Sequence, residues 1–217
     1  MLFVGREHEA SHIIRELQQG NNIVLAGKYG IGRTSLIKEI ASLLQDEWRF
    51  IFVDFSQTPG KMSNKLMKEL HIPKMNRQTG KQFGYKSMRY RIANVETPKR
   101  KKTVIVFDNI AKLTRQKIIF LRHLILENHF QFIAIVENFL PANDLMLLKA
   151  QLLPVETLSL HYLKEEDVIS FIRLHSEKHY LNWPDAYIES LAALVSGYPL
   201  GMVEMIKNRN NSCSLHE

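Results

Sequence analysis

The sequence predicts an α/β protein: a parallel five-stranded sheet flanked by helices, followed by a small C-terminal helical lid. Three observations predict it. A glycine-rich segment, Gly27 to Ser35, separates an apolar run from an amphipathic one. Short β-prone apolar runs recur along the first 160 residues, with polar or helical-period segments between them. After the last run the chain reads as three successive helices, Leu163 to Lys178, Trp183 to Ser196 and Leu200 to Asn208.

The first apolar run, Asn22 to Ala26, is expected to enter the glycine segment as a strand, and Thr34 to Leu44 to leave it as a helix. Leu36, Ile37, Ile40, Leu43 and Leu44 would form its apolar stripe. Between them, Gly27-Lys28-Tyr29-Gly30-Ile31-Gly32-Arg33-Thr34-Ser35 has the spacing of a phosphate-binding loop, with Gly27, Gly32 and Thr34 in place. Glycines let such a backbone wrap a phosphate chain with its N–H groups inward, and the following helix adds its positive end. All nine residues are therefore expected to bind nucleotide, and the fold class becomes a P-loop NTPase core. Thr34 would also offer its hydroxyl to Mg²⁺.

Arg33 stands where the pattern has lysine. Arginine keeps the charge and can grip phosphate oxygens through its fork, but it is longer and planar. Phosphoryl transfer depends on fine positioning, so the exchange should weaken turnover more than binding.

Trp48 to Phe55 reads as a buried strand, Lys61 to Leu70 as a helix and Lys86 to Asn94 as a short helix. The stretch from His71 to Arg100 is polar and basic, broken by Gly80, Gly84 and Pro98. Lys101 to Asn109 has a Walker B pattern, a β-prone run ending in Asp108, which would hold Mg²⁺ opposite Thr34. Asn109 follows in place of the glutamate common there. It can orient a water but not take its proton at neutral pH. The strand Phe130 to Val136 runs into Glu137 and Asn138, with Asn138 expected near the γ-phosphate; capping a loop is the alternative role for that residue. Val155 to Leu160 reads as the last strand.

Composition fits this picture. The 217 residues are 45% hydrophobic, enough for a full core. The single cysteine, Cys213, permits no internal disulfide and fits a reducing cytoplasm. No apolar run has membrane-spanning length and no secretory signal pattern opens the chain. The net charge of +7 favours a polyanionic partner.

Together these residues resemble the AAA+ ATPases, in the branch shared by the archaeal and origin-recognition ATPases and the STAND signalling ATPases. Phe3-Val4-Gly5-Arg6-Glu7-His8-Glu9 looks like that branch's N-terminal Gly-Arg-Glu box, which leads into a helix and borders the adenine pocket, so Val4, Gly5 and Arg6 are implied as nucleotide contacts. The resemblance makes Asn138 a sensor-1-like residue. Ser196-Gly197-Tyr198-Pro199-Leu200 looks like the Gly-x-Pro motif whose proline, here Pro199, packs on base or ribose. It divides the chain into a nucleotide-binding part (1–160), a lid (161–210) and a tail (211–217). The family's second-sensor arginine is replaced by Leu200, in the STAND manner. No arginine lies between Asn138 and Thr157, the usual place for an arginine finger. Arg115 or Arg122 would have to serve if a homo-oligomer completes its site from a neighbour.

The implied ligand is ATP or ADP with Mg²⁺, and the implied function one of two. The first expectation is a DNA-associated regulator with weak or conditional hydrolysis, acting through a separate protein partner. Alternatively, it is a STAND-like switch or scaffold independent of DNA. DNA contact is expected through the basic segment 86–102, where a solvated loop is the competing reading. Tyr85 and Tyr90 are weak candidates for stacking on bases. A core that binds no nucleotide is the third reading, because of Arg33 and Asn109. Guanine recognition is disfavoured, since Asn64-Lys65-Leu66-Met67 lacks the aspartate that reads that base. His175 and His179 have helical i, i+4 spacing without a third metal ligand, and are expected to be exposed. Ile118, Ile119, Leu121, Leu124 and Ile125 are expected in the core.

Overall fold

The computed structural model describes residues 4–75, 80–95, 101–126 and 129–213, with side chains to residue 206. The strands are β1 (Asn22–Gly27), β2 (Trp48–Asp54), β3 (Lys102–Ile110), β4 (Gln131–Val136) and β5 (Val155–Leu160). All pair in parallel, in the order β2-β3-β4-β1-β5. The helices are α1 (Glu7–Gln18), α2 (Arg33–Leu43), α3 (Pro59–Glu69), α4 (Tyr85–Ala93), α5 (Arg115–Leu126), α6 (Ala142–Gln151), α7 (Glu165–Lys178), α8 (Asp185–Val195) and α9 (Pro199–Cys213). The expected five-stranded parallel sheet flanked by helices is therefore present.

Alternation along the strands builds a core on each face of the sheet. Ile23 and Leu25 of β1, Val104 and Val106 of β3, and Ile133 and Ile135 of β4 pack with Ile13 and Leu17 of α1 and with Leu36, Ile37 and Ile40 of α2. The intervening Val24, Ile105, Phe107, Phe132 and Ala134 face Met62 and Leu66 of α3, Phe120 and Leu124 of α5, and Leu148 of α6. Phe107 stacks on Phe132 at 5.9 Å and meets Phe55 edge-on at 5.2 Å. Buried Asn22 pins three segments together: its amide donates to Leu152 O at 2.7 Å, and its carbonyl accepts from Phe132 N at 2.8 Å.

Two expected core positions lie outside. On α2, Leu36, Ile37 and Ile40 are buried and the C-cap Leu44 is half-buried against the same core, which leaves Leu43 at the solvent edge, 63% exposed. On α5, Leu121 and Leu124 are buried and Ile118 and Ile125 are half-buried against the core, while Ile119 faces outward beside α3 and α4.

Helices α7, α8 and α9 enclose a smaller cluster of Val168, Ile172, Ile188, Leu191, Ala192 and Met202. Helix α9 continues to Cys213, five residues past the end expected at Asn208. Residues 96–100 of the basic segment, including Lys99 and Arg100, lie outside the described residues.

Candidate functional site

The carboxyl ends of β1, β3 and β4 converge where the glycine loop turns into α2. Gly32 sits at the helix N-cap with φ 95°, and neither a capping side chain nor an acidic residue occupies the first turn. An α-helix leaves its first amides without internal partners, and among the described residues no side-chain cap takes them up. That leaves a positive helix end free to receive an anion.

Thr34 is the second residue of α2, and its hydroxyl donates to both oxygens of Asp108 on β3, at 3.0 and 3.2 Å. A hydroxyl beside a carboxylate is a hard oxygen donor set suited to Mg²⁺. A metal there would coordinate both groups in place of the bond between them. Asn109 follows with φ 61°, at an irregularity in the β3–β4 pairing. Its backbone N–H donates to Asp108 at 2.9 Å, and its side-chain amide to Asp54 at 3.3 Å.

Asp54 ends β2 in register with Asp108, a neighbour that sequence reasoning did not select. The signal was there, since Trp48 to Asp54 is also an apolar run closed by an aspartate. Burial works against its charge, but hydrogen bonds from Ser56, Gln57 and Asn109 outweigh it and hold the carboxyl at about 2. Lys117 of α5 stands nearby, donating to Phe55 O at 2.5 Å. Burial lowers its pKa, partly opposed by the charge of Asp54.

Arg33 does not lie along the loop. Its guanidinium, buried, donates to Val136 O and to both carboxylate oxygens of Glu137 at 2.9 Å, bracing α2 against the tip of β4. Glu137 was passed over in the sequence in favour of its neighbour. Asn138 is exposed one residue further on, at the rim of a cavity walled by Gly27, Lys28, Ile31 and Tyr162.

On the other side of the loop, three segments distant in sequence enclose a cavity of about 300 Å³. Val4 and Arg6 come from the N-terminal box, Ile31, Gly32 and Ser35 from the loop and α2, and Pro199 from the lid. The lid adds Phe171 and His175, which the sequence reading left out of the site. Arg6 is fixed by donating to Glu9 at 2.7 Å and to His161 O. Gly5, at φ 77°, leaves no room for a Cβ, which would fall 2.6 Å from that of Asp167. His175 is half-buried rather than exposed, its Nε2 covered and without a hydrogen-bond partner among the described residues. Burial, then the charges of His179 and Lys178, lower its pKa. Its ring lies 4.3 Å from that of His179.

The lid also grips the loop directly. Leu200 N–H donates to Gly30 O at 3.2 Å, and the Tyr198 hydroxyl to Tyr29 O at 3.0 Å. Gly30, at φ 73°, is required by this approach, because a Cβ there would lie 2.8 Å from the Leu200 Cβ. Lys28 donates to the Tyr162 hydroxyl at 3.2 Å, and Tyr162 packs edge-on against Tyr198. Of the two arginines considered for a finger, Arg122 bonds Gln151 at 2.8 Å and Arg115 opens α5. Among the described residues no cluster of three or more His, Cys, Asp or Glu side chains could hold a metal, and no helix is long and apolar enough to cross a membrane.

This sheet order, with a phosphate-type loop after β1 and a three-helix unit behind it, is the fold of the AAA+ P-loop ATPases. Solved structures agree. Orc1 of Aeropyrum pernix, in complex with DNA, superposes with a TM-score of 0.73 at 14% identity over 100% of this chain and 62% of its own. The Holliday junction branch migration motor RuvB of Thermotoga maritima gives 0.61 at 16% identity, over 98% and 64% respectively. Hsp104 of S. cerevisiae, in complex with ADP, gives 0.62 at 15%, over 94% and 30%. The chain thus spans less than two thirds of each of these proteins. By sequence, no protein-family model and no curated protein matches it.

Proposed function

We propose that the chain binds ATP or ADP with Mg²⁺ and acts as a nucleotide-dependent AAA+ regulator with weak or conditional hydrolysis. The carrying observation is the cavity itself. Val4, Arg6, Ile31, Gly32, Ser35 and Pro199, implied as nucleotide contacts from three separate segments, line one concavity beside the uncapped end of α2. Its size falls at the small-ligand end of the usual range of about 300–1,000 Å³. Base and ribose would occupy it, the phosphates would lie on the loop amides, and Thr34 with Asp108 would hold the metal. Asn109 in place of an acid, its amide engaged by Asp54, supports slow turnover.

Association with DNA is part of this reading. From Ser56 to Lys102 the sequence holds thirteen Lys and Arg against two acidic residues, so the chain's positive excess resides in that span. Lys86 and Arg91 are exposed on α4. A phosphate backbone is the partner such a surface suits. A separate protein would carry the output, the lid being residues 161–210, and the setting would be the cytoplasm. The bonds from Leu200 and Tyr198 to the loop favour the second reading, a STAND-like switch in which occupancy sets the lid position.

Calorimetry with ATP and ADP, with and without Mg²⁺, tests nucleotide binding; heats indistinguishable from dilution would end the proposal. Double-stranded DNA at moderate salt separates the two readings. Altered nucleotide affinity or turnover, lost on reversing Lys86, Arg89 and Arg91 to Glu, supports the DNA-associated role. Indifference to DNA supports the switch.

A further inference from the structure

Resting on the nucleotide reading, we infer that Lys28, not Arg33, supplies the positive charge that meets the phosphate tail, and that Arg33 has become a strut. A nucleotide tail brings several negative charges onto the loop, and P-loops ordinarily answer with the side chain at position 33. Here that side chain is spent. Arg33 is 6% exposed, and its terminal guanidinium nitrogens are committed to Val136 O and to the paired oxygens of Glu137. Swinging it onto a phosphate would strand the Glu137 carboxylate, itself nearly buried, without a counter-charge. As a unit the pair is neutral and offers a polyanion little.

Lys28, the second residue of the loop, is exposed, and among the described residues its ammonium meets only neutral groups, the Tyr162 hydroxyl at 3.2 Å and the ring of the same tyrosine at 4.8 Å. Among the described residues no carboxylate lies within salt-bridge distance of it. A compact ammonium on a flexible stem can leave a phenol for a phosphate at little cost. Tyr162 is 47% exposed, so water replaces the lost bond. That tyrosine joins β5 to the lid and packs on Tyr198, which holds Tyr29 O. Moving Lys28 onto phosphate therefore also frees a contact on the lid side of the loop.

The test compares Mg²⁺-ATP, ADP and AMP binding by calorimetry for wild type, Lys28→Met, Lys28→Arg and the double variant Arg33→Met/Glu137→Met, with folding checked by thermal unfolding. The double variant removes the strut as a neutral unit, so no buried charge is left alone. Loss of one charge-assisted contact predicts about tenfold weaker ATP binding for Lys28→Met, with AMP affected least. Lys28→Arg should recover most of the loss, and the folded double variant should bind ATP within about threefold of wild type. A wild-type affinity in Lys28→Met, or a tenfold loss in the double variant, overturns the assignment while leaving nucleotide binding intact. A wild type that binds neither ATP nor ADP removes the nucleotide reading itself, and this assignment with it.

Discussion

The hydroxyl of Thr34 and the carboxylate of Asp108 face each other across the carboxyl edge of the sheet, 3.0 and 3.2 Å apart, although 74 residues separate them in sequence. Helix α2 is held against β1 and β3 by Leu36, Ile37 and Ile40, so this pair rests on a packed core rather than on loops. If it is the Mg²⁺ site, Thr34→Ala and Asp108→Asn should each abolish the gain in ATP affinity that Mg²⁺ confers, about tenfold for a contact to a charged group. Affinity measured in EDTA should barely change. Calorimetry in both conditions decides it, and equal losses with and without metal would argue against a metal role.

Breaking the Arg33–Glu137 pair from one side should be costly. Both side chains are largely buried, at 7% and 11% exposure, so Glu137→Ala leaves a guanidinium without its partner. The expected loss is about 3–5 kcal/mol of unfolding free energy. Urea unfolding measures it, and a loss below about 1 kcal/mol would show the pair to be solvated in solution.

The lid–loop contact makes Gly30 irreplaceable. Gly30→Ala requires an alanine at φ 73° and a Cβ 2.8 Å from that of Leu200. The backbone strain alone is about 1–2 kcal/mol. Nucleotide should dissociate faster, as followed by stopped-flow release of a fluorescent ATP analogue. Tyr198→Phe, which deletes only the bond to Tyr29 O, should have a milder effect of about 1 kcal/mol. Unchanged release in Gly30→Ala would detach the lid from nucleotide retention.

His175 sets a pH dependence with a definite sign. Burial, with His179 and Lys178 nearby, holds its folded pKa below the unfolded value. Above an unfolded pKa of about 6.5 both states are neutral and no stability is lost. As pH falls through that value toward the lower folded pKa, the unfolded chain takes a proton that the native state resists, and stability declines. Thermal melts from pH 7.5 to 5 should show that decline, and His175→Phe should flatten part of it. A decline of equal size in the variant would assign the effect to other groups.

The sheet was legible in the sequence because its evidence is local. β1, β2, β3 and β4 each carry an apolar run, as strands covered on both faces must, β5 at the sheet edge alternates apolar and polar residues, and the glycines at 27, 30 and 32 mark the turn into α2. Positions such as Leu43 and Ile119 could not be placed from periodicity alone. An apolar residue on the border of a helical stripe is buried only if a neighbouring element covers it. Asp54 repeats in β2 the pattern that singled out Asp108 in β3, yet nothing in one strand says which strand will lie beside it.

Local order along the chain thus determined the elements, their succession and the turn at which a phosphate would sit, since strand and helix periodicities and glycine's backbone freedom act over a few residues. Folding alone decided how Arg33 is used. Its charge could serve a phosphate or a carboxylate, and the outcome rests on β4 ending beside β1 and bringing Glu137 within 2.9 Å of the guanidinium. The same holds for the cavity that joins Val4, Ile31 and Pro199. Its walls meet because burying apolar surface brings the lid and the N-terminal box onto one side of the loop, a free energy that belongs to the whole molecule and to no segment of it.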